Sequence, residues 1–247
     1  MYHHPVIFLD TIDSTNLFAQ MLINMNQAVH GTVIQAGSQT NGRGRRNNQW
    51  LSENGLNLTF SIILFPADLA VNRHFELNQV FSLGIYDFLN AKGIKAINVK
   101  WPNDIMVSGK KIAGILLENT IRGKLITSIV AGIGINVNQE VFEGNYAVGP
   151  FSLKLALGKK LKLAETLQEL LHFIMFRYEQ LSNGKIEELN SDYLSTLFRR
   201  NQLSKFISGD VIWNGIISGV SEDGELIVED ETGKLNNYSF GEIKIVL

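Results

Sequence analysis

The sequence predicts an α+β chain, with a sheet-and-helix domain over residues 1–202 and a small antiparallel β-barrel over residues 203–247. Three observations carry this. Up to residue 198, apolar runs of strand length alternate with segments of helical apolar spacing. After Asn201 the pattern becomes short β-rich runs punctuated by glycine. The charge changes at the same place. Eight acidic and three basic residues lie between Lys205 and Leu247, a net of −5, so residues 1–204 carry +3 of the total −2.

In order, Val6–Leu9 is a short apolar run and a first strand. Ser14 is placed to cap a helix through Leu17–Ile23, since a short hydroxyl satisfies orphan amides at a helix start. Thr32–Ala36 reads as a second strand. Residues 37–54 are polar, rich in Gly, Asn and Arg, and without apolar period. They form a long loop, and loops beyond about 12–15 residues usually carry function or are disordered. Leu56–Leu64 is a buried strand stopped by Pro66. Phe75–Leu89 keeps helical spacing and ends at Gly93. Ile97–Trp101 is a strand halted by Pro102. Asp104–Val107 and Ile112–Glu118 flank Ser108-Gly109-Lys110 as a hairpin, and Leu125–Val137 follows the Arg122-Gly123 turn. Leu163–Leu181 and Ile186–Phe198 are helices. The barrel strands are Val211–Trp213, Ile216–Val220, Leu226–Val228 and Ile243–Val246.

The 247 residues include no cysteine, which excludes disulfides, thiolate metal sites and thiol nucleophiles. The longest uncharged stretches are shorter than the ~18–20 apolar residues a membrane span needs. The N-terminus lacks the basic and apolar regions of a signal peptide. A cytoplasmic protein is expected.

Five segments carry candidate chemistry. Gly42-Arg43-Gly44-Arg45-Arg46 lies in a stretch, Ser14 to Ser52, without one acidic residue. Glycine lets the backbone approach a ligand, and arginine offers a planar bidentate donor for phosphate or carboxylate. The loop suits closure over a polyanion, and a solvated basic turn or nucleic-acid contact is the plainer alternative. It lacks the Gly-Lys-Ser/Thr ending of a Walker A loop.

Lys100-Trp101-Pro102-Asn103-Asp104 places Asn103 and Asp104 at the C-terminal end of a strand, where ligands gather in α/β-type sheets. Turn chemistry alone also accounts for both. In Lys111-Ile112-Ala113-Gly114-Ile115-Leu116-Leu117-Glu118, the small residues leave space at one face, and the hairpin keeps Asp104 and Lys111 in one neighbourhood. Lys111 can neutralise a substrate anion or be an ordinary surface lysine. Gly132-Ile133-Gly134-Ile135-Asn136 puts two glycines in a buried strand, which weakens it unless something approaches closely. Asp13-Ser14-Thr15-Asn16 is explained by helix capping, to which a ligand role would be added. His3, His4, His30 and His172 show no metal-ligand spacing.

These segments, in this order, resemble the biotin–protein ligases (biotin–[acetyl-CoA-carboxylase] ligases). The pieces are Asp13-Ser14-Thr15-Asn16; Gln39-x-x-Gly42-Arg43-Gly44-Arg45-Arg46 with Trp50; Lys100-Trp101-Pro102-Asn103-Asp104; Lys111-x-Ala113-Gly114-Ile115-Leu116-x-Glu118; and Gly132-x-Gly134-x-Asn136. Residues 203–247 resemble the family's SH3-like domain. The resemblance implies a mixed central sheet flanked by helices, related to class II aminoacyl-tRNA synthetases. It implies that biotin and ATP form biotinyl-5′-AMP with Mg²⁺ assisting, and that a lysine of a biotin carboxyl carrier protein domain then takes the biotinyl group. No nucleic acid or membrane partner is implied.

Carried over by position, Ser14, Thr15, Asn16 and Gln39 surround the biotin ureido ring. Gly42, Arg43, Gly44 and Arg45 form the loop that closes over biotin and phosphate. Lys111 is the cation for the biotin carboxylate and bridging phosphate, with Arg45 also at the chemistry. Asp104 positions the acceptor lysine or helps hold Mg²⁺. Trp50 covers the adenine. Asn103, Gly134 and Asn136 complete the nucleotide site, and Gly114 admits close packing on biotin. Two departures stand out. Asn47-Asn48-Gln49 precedes Trp50 where family members often carry Gly and a basic residue, so weaker adenylate retention is expected. The first motif begins at Asp13, leaving no room for an N-terminal helix-turn-helix, and the acidic C-terminal region disfavours DNA contact. No repressor role is expected. A lipoate–protein ligase shares the implied fold and chemistry, but the arginine loop and the Lys-Trp-Pro-Asn-Asp segment favour biotin.

Overall fold

A computed structural model describes residues 5–45, 48–144 and 146–246. Arg46 and Asn47 of the basic loop, and His3 and His4, lie outside the described residues. One sheet has seven strands in the order β1 (Val6–Ile12), β2 (Thr32–Gln39), β3 (Leu58–Leu64), β7 (Leu125–Ile135), β6 (Lys110–Arg122), β5 (Asp104–Val107) and β4 (Ile97–Lys100). Helix α1 (Thr15–Asn24) connects β1 to β2, and a helical crossover brings the second strand back parallel. Every other neighbouring pair is antiparallel. The sheet is therefore mixed, as the resemblance implied.

Side chains on a strand alternate between faces, and here the two faces have different fates. β3 sends Leu58, Phe60, Ile62 and Leu64 to one side, and β7 sends Ile129, Ala131, Ile133 and Ile135 there. Helices α2 (His74–Ala91), α4 (Leu163–Ser182) and α5 (Ile186–Thr196) cover that side and complete the main core. On the other side, α1 covers only one end, packing Ala19 and Leu22 on Ile34, Ile63 and Val130. Ser61 and Gly132 lie under the first turn of α1, against Thr15 and Asn16, and beyond them Gly134 meets the Trp50 ring and no helix. The β5–β6 turn needs two residues with positive φ, supplied by Ser108 (φ 50°) and Gly109 (φ 76°).

Several elements differ from the sequence expectation. Ser14 sits at the N-cap of α1 in extended geometry, yet its side chain makes no capping bond. The first amide is satisfied from another strand instead, because Thr15 N donates to Gln39 Oε1 at 2.7 Å. The short helix α3 (Leu153–Leu157) was not foreseen, because a single turn carries no measurable period. Ser152 caps it and Gly158 (φ 68°) ends it.

The C-terminal sheet runs β11 (Leu235–Tyr238), β10 (Leu226–Asp230), β9 (Val211–Val220), β8 (Leu203–Ser208) and β12 (Lys244–Ile245), all antiparallel. Two expected strands are one, since β9 continues through Gly215. A Cβ there would lie 2.8 Å from the Glu229 carbonyl, so glycine marks close strand packing rather than a break. β8 was missed because its pattern is inverted at the start, with Leu203 exposed and Ser204 buried. This sheet is bonded to the β4 edge of the first. Phe198 N donates to Val99 O at 2.9 Å, Asn201 N to Ile217 O at 2.9 Å, and Arg199 Nη1 to Val246 O at 3.1 Å. Among the described residues no helix is long and apolar enough to cross a membrane.

Gly84 lies where α2 meets α4, and a Cβ there would come within 2.7 Å of Ile174 Cα. Alanine is the better helix former by about 0.5–1 kcal/mol, but the obstructing atom is backbone and cannot swing away. Gly84→Ala should lower stability by about 1–3 kcal/mol, read as a fall in the thermal midpoint. An unchanged midpoint would mean that the two helices separate freely.

Candidate active site

The sheet face opposite α2, α4 and α5 is the floor of a cleft of ≈ 860 Å³, walled by Arg43–Arg45 and Asn48–Leu51 of the loop and by the C-terminal sheet. Its floor is made by absence of side chains. Gly114 and Gly134 are paired across β6 and β7, and Gly132 pairs with Leu116. A Cβ on Gly132 would lie 2.3 Å from Asn16 Oδ1, and one on Gly134 would lie 2.2 Å from the Trp50 ring. Both glycines are required by close approach.

A chain of polar contacts crosses this floor. Thr15 Oγ1 donates to Gln39 Oε1 at 3.1 Å. Ser61 Oγ, on β3, lies 2.7 Å from Thr15 Oγ1 and 2.6 Å from Asn16 Oδ1, where its one proton can go to either oxygen. Asn16 Nδ2 donates to Glu118 Oε2 at 2.7 Å. The other Glu118 oxygen meets Arg43 Nη1 at 3.1 Å. The chain thus joins β2, α1, β3, β6 and the arginine loop. Thr15, Asn16 and Ser61 are buried, so their polar groups need such partners.

Beside the chain lies a cluster of cations. Among the described residues, Arg43, Arg45, Lys100, Lys111 and Lys244 line the cleft with the carboxylate of Asp104, and Glu118 is paired with Arg43 beside it. Lys111 Nζ is 2.6 Å from Asp104 Oδ1. Lys111 and Gly114 are three residues apart and would point to opposite faces of a regular strand. The β5–β6 register shifts between Ile105 and Met106, and this irregularity re-aims Lys111 onto the face of Gly114. A Cβ on Gly114 would touch Lys111 Nζ at 3.2 Å. Burial holds the Lys100 ammonium below the usual lysine range, partly opposed by Asp104 and reinforced by Lys111. The Trp50 indole lies on Gly134, and Lys111 Nζ is 5.6 Å from the centre of its ring.

The structure brings Ser14, Thr15, Asn16, Gln39, Arg43, Gly44, Arg45, Trp50, Asn103, Asp104, Lys111, Gly114 and Gly134 to this one cleft. Two expected residues do not line it. Gly42 packs against the loop's own base, where a Cβ would lie 2.4 Å from the Trp50 carbonyl. Asn136 donates its side-chain amide to Phe151 O at 3.0 Å and holds the segment before α3. Asn103 lines the cleft but gives its amide to Ile115 O at 2.6 Å, pinning the turn to β6. Arg43 pairs with Glu118 while remaining exposed, and Arg45 lies over the Phe240 ring, 4.0 Å away. Ser61 and Phe240 escaped sequence reasoning. Ser61 is concealed in an apolar run, and Phe240 is remote from every motif.

Comparison with known proteins agrees with this geometry. The Biotin/lipoate A/B protein ligase family matches residues 8–136, and the Biotin protein ligase C terminal domain matches residues 205–245. The bifunctional ligase/repressor BirA of Bacillus subtilis (strain 168) is 32% identical over 243 residues, covering 95% of this chain and 72% of that protein. The biotin--[acetyl-CoA-carboxylase] ligase of Paracoccus denitrificans is 29% identical over 228 residues, covering 90% of this chain and 93% of that protein. Among solved structures, the biotin protein ligase from Aquifex aeolicus in complex with biotin and ATP superposes with a TM-score of 0.81. It is 28% identical, covering 98% of this chain and 99% of that chain. With both segments matched, in the order in which the two sheets follow one another, the chain belongs to the biotin protein ligases.

Proposed function

We propose that the cleft joins biotin and ATP as biotinyl-5′-AMP and transfers the biotinyl group to a lysine of a biotin carboxyl carrier protein domain. The enzyme is a biotin–[biotin carboxyl-carrier protein] ligase, read here as acting in the cytoplasm. Residues 1–202 form the ligase domain and residues 203–247 a C-terminal domain. The observation that supports this reading best is the meeting of a donor-and-acceptor chain with a cation cluster in one cleft.

In the first step a biotin carboxylate oxygen attacks the α-phosphorus, the bond to the bridging oxygen breaks, and pyrophosphate leaves. Two anions must meet. Lys111, beside Asp104 at 2.6 Å, with Arg43, Arg45 and Lys100, supplies fixed positive charge that lowers their repulsion. Ser14, Thr15, Asn16 and Gln39 hold the ureido ring, which both donates and accepts hydrogen bonds. Ser61 fixes the orientation of Thr15 and Asn16. Trp50, resting on Gly134, is the ring available to the adenine. In the second step the acceptor amine attacks the acyl carbon, the mixed anhydride C–O bond breaks, and AMP leaves. Asp104 receives the acceptor lysine as it loses its proton. Arg43, Gly44 and Arg45 exclude water from the anhydride, which otherwise hydrolyses.

Among the described residues no group of three or more His, Cys, Asp or Glu forms a metal cage. Asp104 lines the cleft and its carboxylate fits to face Mg²⁺ arriving with ATP, the usual way this ion is held. When bound, Mg²⁺ offsets phosphate charge.

The test is labelling of a carrier domain, which should require both biotin and ATP. Lys111→Ala should lower pyrophosphate release by about 100-fold or more while keeping the fold, since a comparable electrostatic donor is worth that much. Parent-like release would remove Lys111 from this role. Ser61→Ala should raise KM for biotin roughly tenfold and largely spare kcat, because ring contacts bind ground and transition states alike. An unchanged KM would separate the polar chain from biotin.

A further inference from the structure

We propose that Phe240, on the C-terminal domain, is a positioning residue that holds Arg45 across the cleft, so that this domain governs retention of the adenylate. The inference rests on the reading of Arg45 as part of the closing loop.

Two constructions meet at this contact. On one side is the loop. Trp50 N donates to Gly42 O at 3.0 Å, and Gly44 N to Asn48 O at 2.7 Å, so the segments 42–44 and 48–50 lie against each other, with Arg45 following the first. The Arg45 guanidinium carbon is 4.0 Å from the centre of the Phe240 ring, the geometry of a cation over an aromatic face. The ring attracts the guanidinium charge, and the N–H groups of a guanidinium are the part that recognises carboxylate and phosphate.

On the other side, Phe240 sits on a fixed mount. Trp101, in the Lys-Trp-Pro-Asn-Asp segment, packs edge-on against it with centroids 5.9 Å apart. Trp101 Nε1 donates to Gly224 O at 2.9 Å. The turn at Gly224 is pressed onto α2, where a Cβ would come within 2.5 Å of the Phe75 ring. Ser239, next to Phe240, donates its hydroxyl to Glu225 Oε1 at 3.0 Å and its amide to Glu242 Oε2 at 2.8 Å. The ring is thereby anchored through the C-terminal domain to α2, which belongs to the main core, and to the Trp101 turn, which lines the cleft. Ile243, Lys244 and Ile245 of the same domain also line the cleft. The C-terminal domain supplies a platform on which the loop rests when Arg45 is in place.

The test measures how fast preformed biotinyl-5′-AMP leaves the enzyme in Phe240→Leu, Phe240→Tyr, Arg45→Ala and the Arg45→Ala, Phe240→Leu double variant. Leucine keeps apolar contact with Trp101 but lacks a π face, and tyrosine keeps the face. Phe240→Leu should speed release roughly tenfold, Phe240→Tyr should restore retention, and Phe240→Leu should add nothing once Arg45 is alanine. Rapid release from Arg45→Ala with parent-like retention in Phe240→Leu would overturn the proposal and leave the role of Arg45 standing. An equal Phe240→Leu effect in both backgrounds, or failure of tyrosine to rescue, would also overturn it. Parent-like retention in Arg45→Ala would overturn the closing-loop reading itself, and the proposal with it.

Discussion

Burying a hydroxyl or an amide costs free energy unless a partner meets it, and one face of this sheet buries several. The contacts from Gln39 through Thr15, Ser61 and Asn16 to Glu118 and Arg43 meet that demand only if β2, β3, β6, α1 and the arginine loop are all in register. A slip of one residue in β3 would send Ser61 into the helix-covered core and put an apolar side chain, Phe60 or Ile62, opposite Asn16. Gly132 is bound to the same constraint, since any side chain there would displace Asn16. Much of the architecture follows. One face is given to α2, α4 and α5 and carries the main core, and the other is covered by α1 at one end and left polar at the cleft.

The cation cluster depends on a second local device. Lys111 reaches the cleft because the β5–β6 ladder is irregular beside it, and its backbone turns to the following segment. Lys111 N donates to Gly149 O at 2.9 Å, and Phe151 N donates to Lys111 O at 2.8 Å. Placed there, Lys111 meets Asp104 from the neighbouring strand. A cation and a carboxylate at one spot suit two successive demands, first the approach of two anions and then the arrival of an ammonium.

Much of this was legible in the sequence. The helices α2, α4 and α5 follow from apolar spacing, and the strand that carries Gly132 and Gly134 from glycines where none should be tolerated without cause. The motif residues converge because each stands at a strand end, a turn or a helix start on the same face. What was not legible depends on contacts between distant residues. Ser61 looks incidental in an apolar run until Asn16 is opposite it. Ser14 has a capping sequence but not a capping bond, because Gln39 reaches the helix start from another strand. Asn136 matches the family pattern yet bonds away from the cleft, to Phe151. β8 opens with an exposed leucine and a buried serine, β11 is short and polar, and Phe240 gains meaning only when the C-terminal sheet folds back to Arg45.

On the proposed function, the polar chain holds a ureido ring and the cations beside it hold that ring's carboxylate tail. Isothermal titration of the intact chain with biotin and with lipoate, in the absence of ATP, tests it most directly. Lipoate offers the same carboxylate and a ring without hydrogen-bonding groups, so biotin should bind and lipoate should bind far more weakly. Equal affinity for the two, or no binding of biotin, would contradict it.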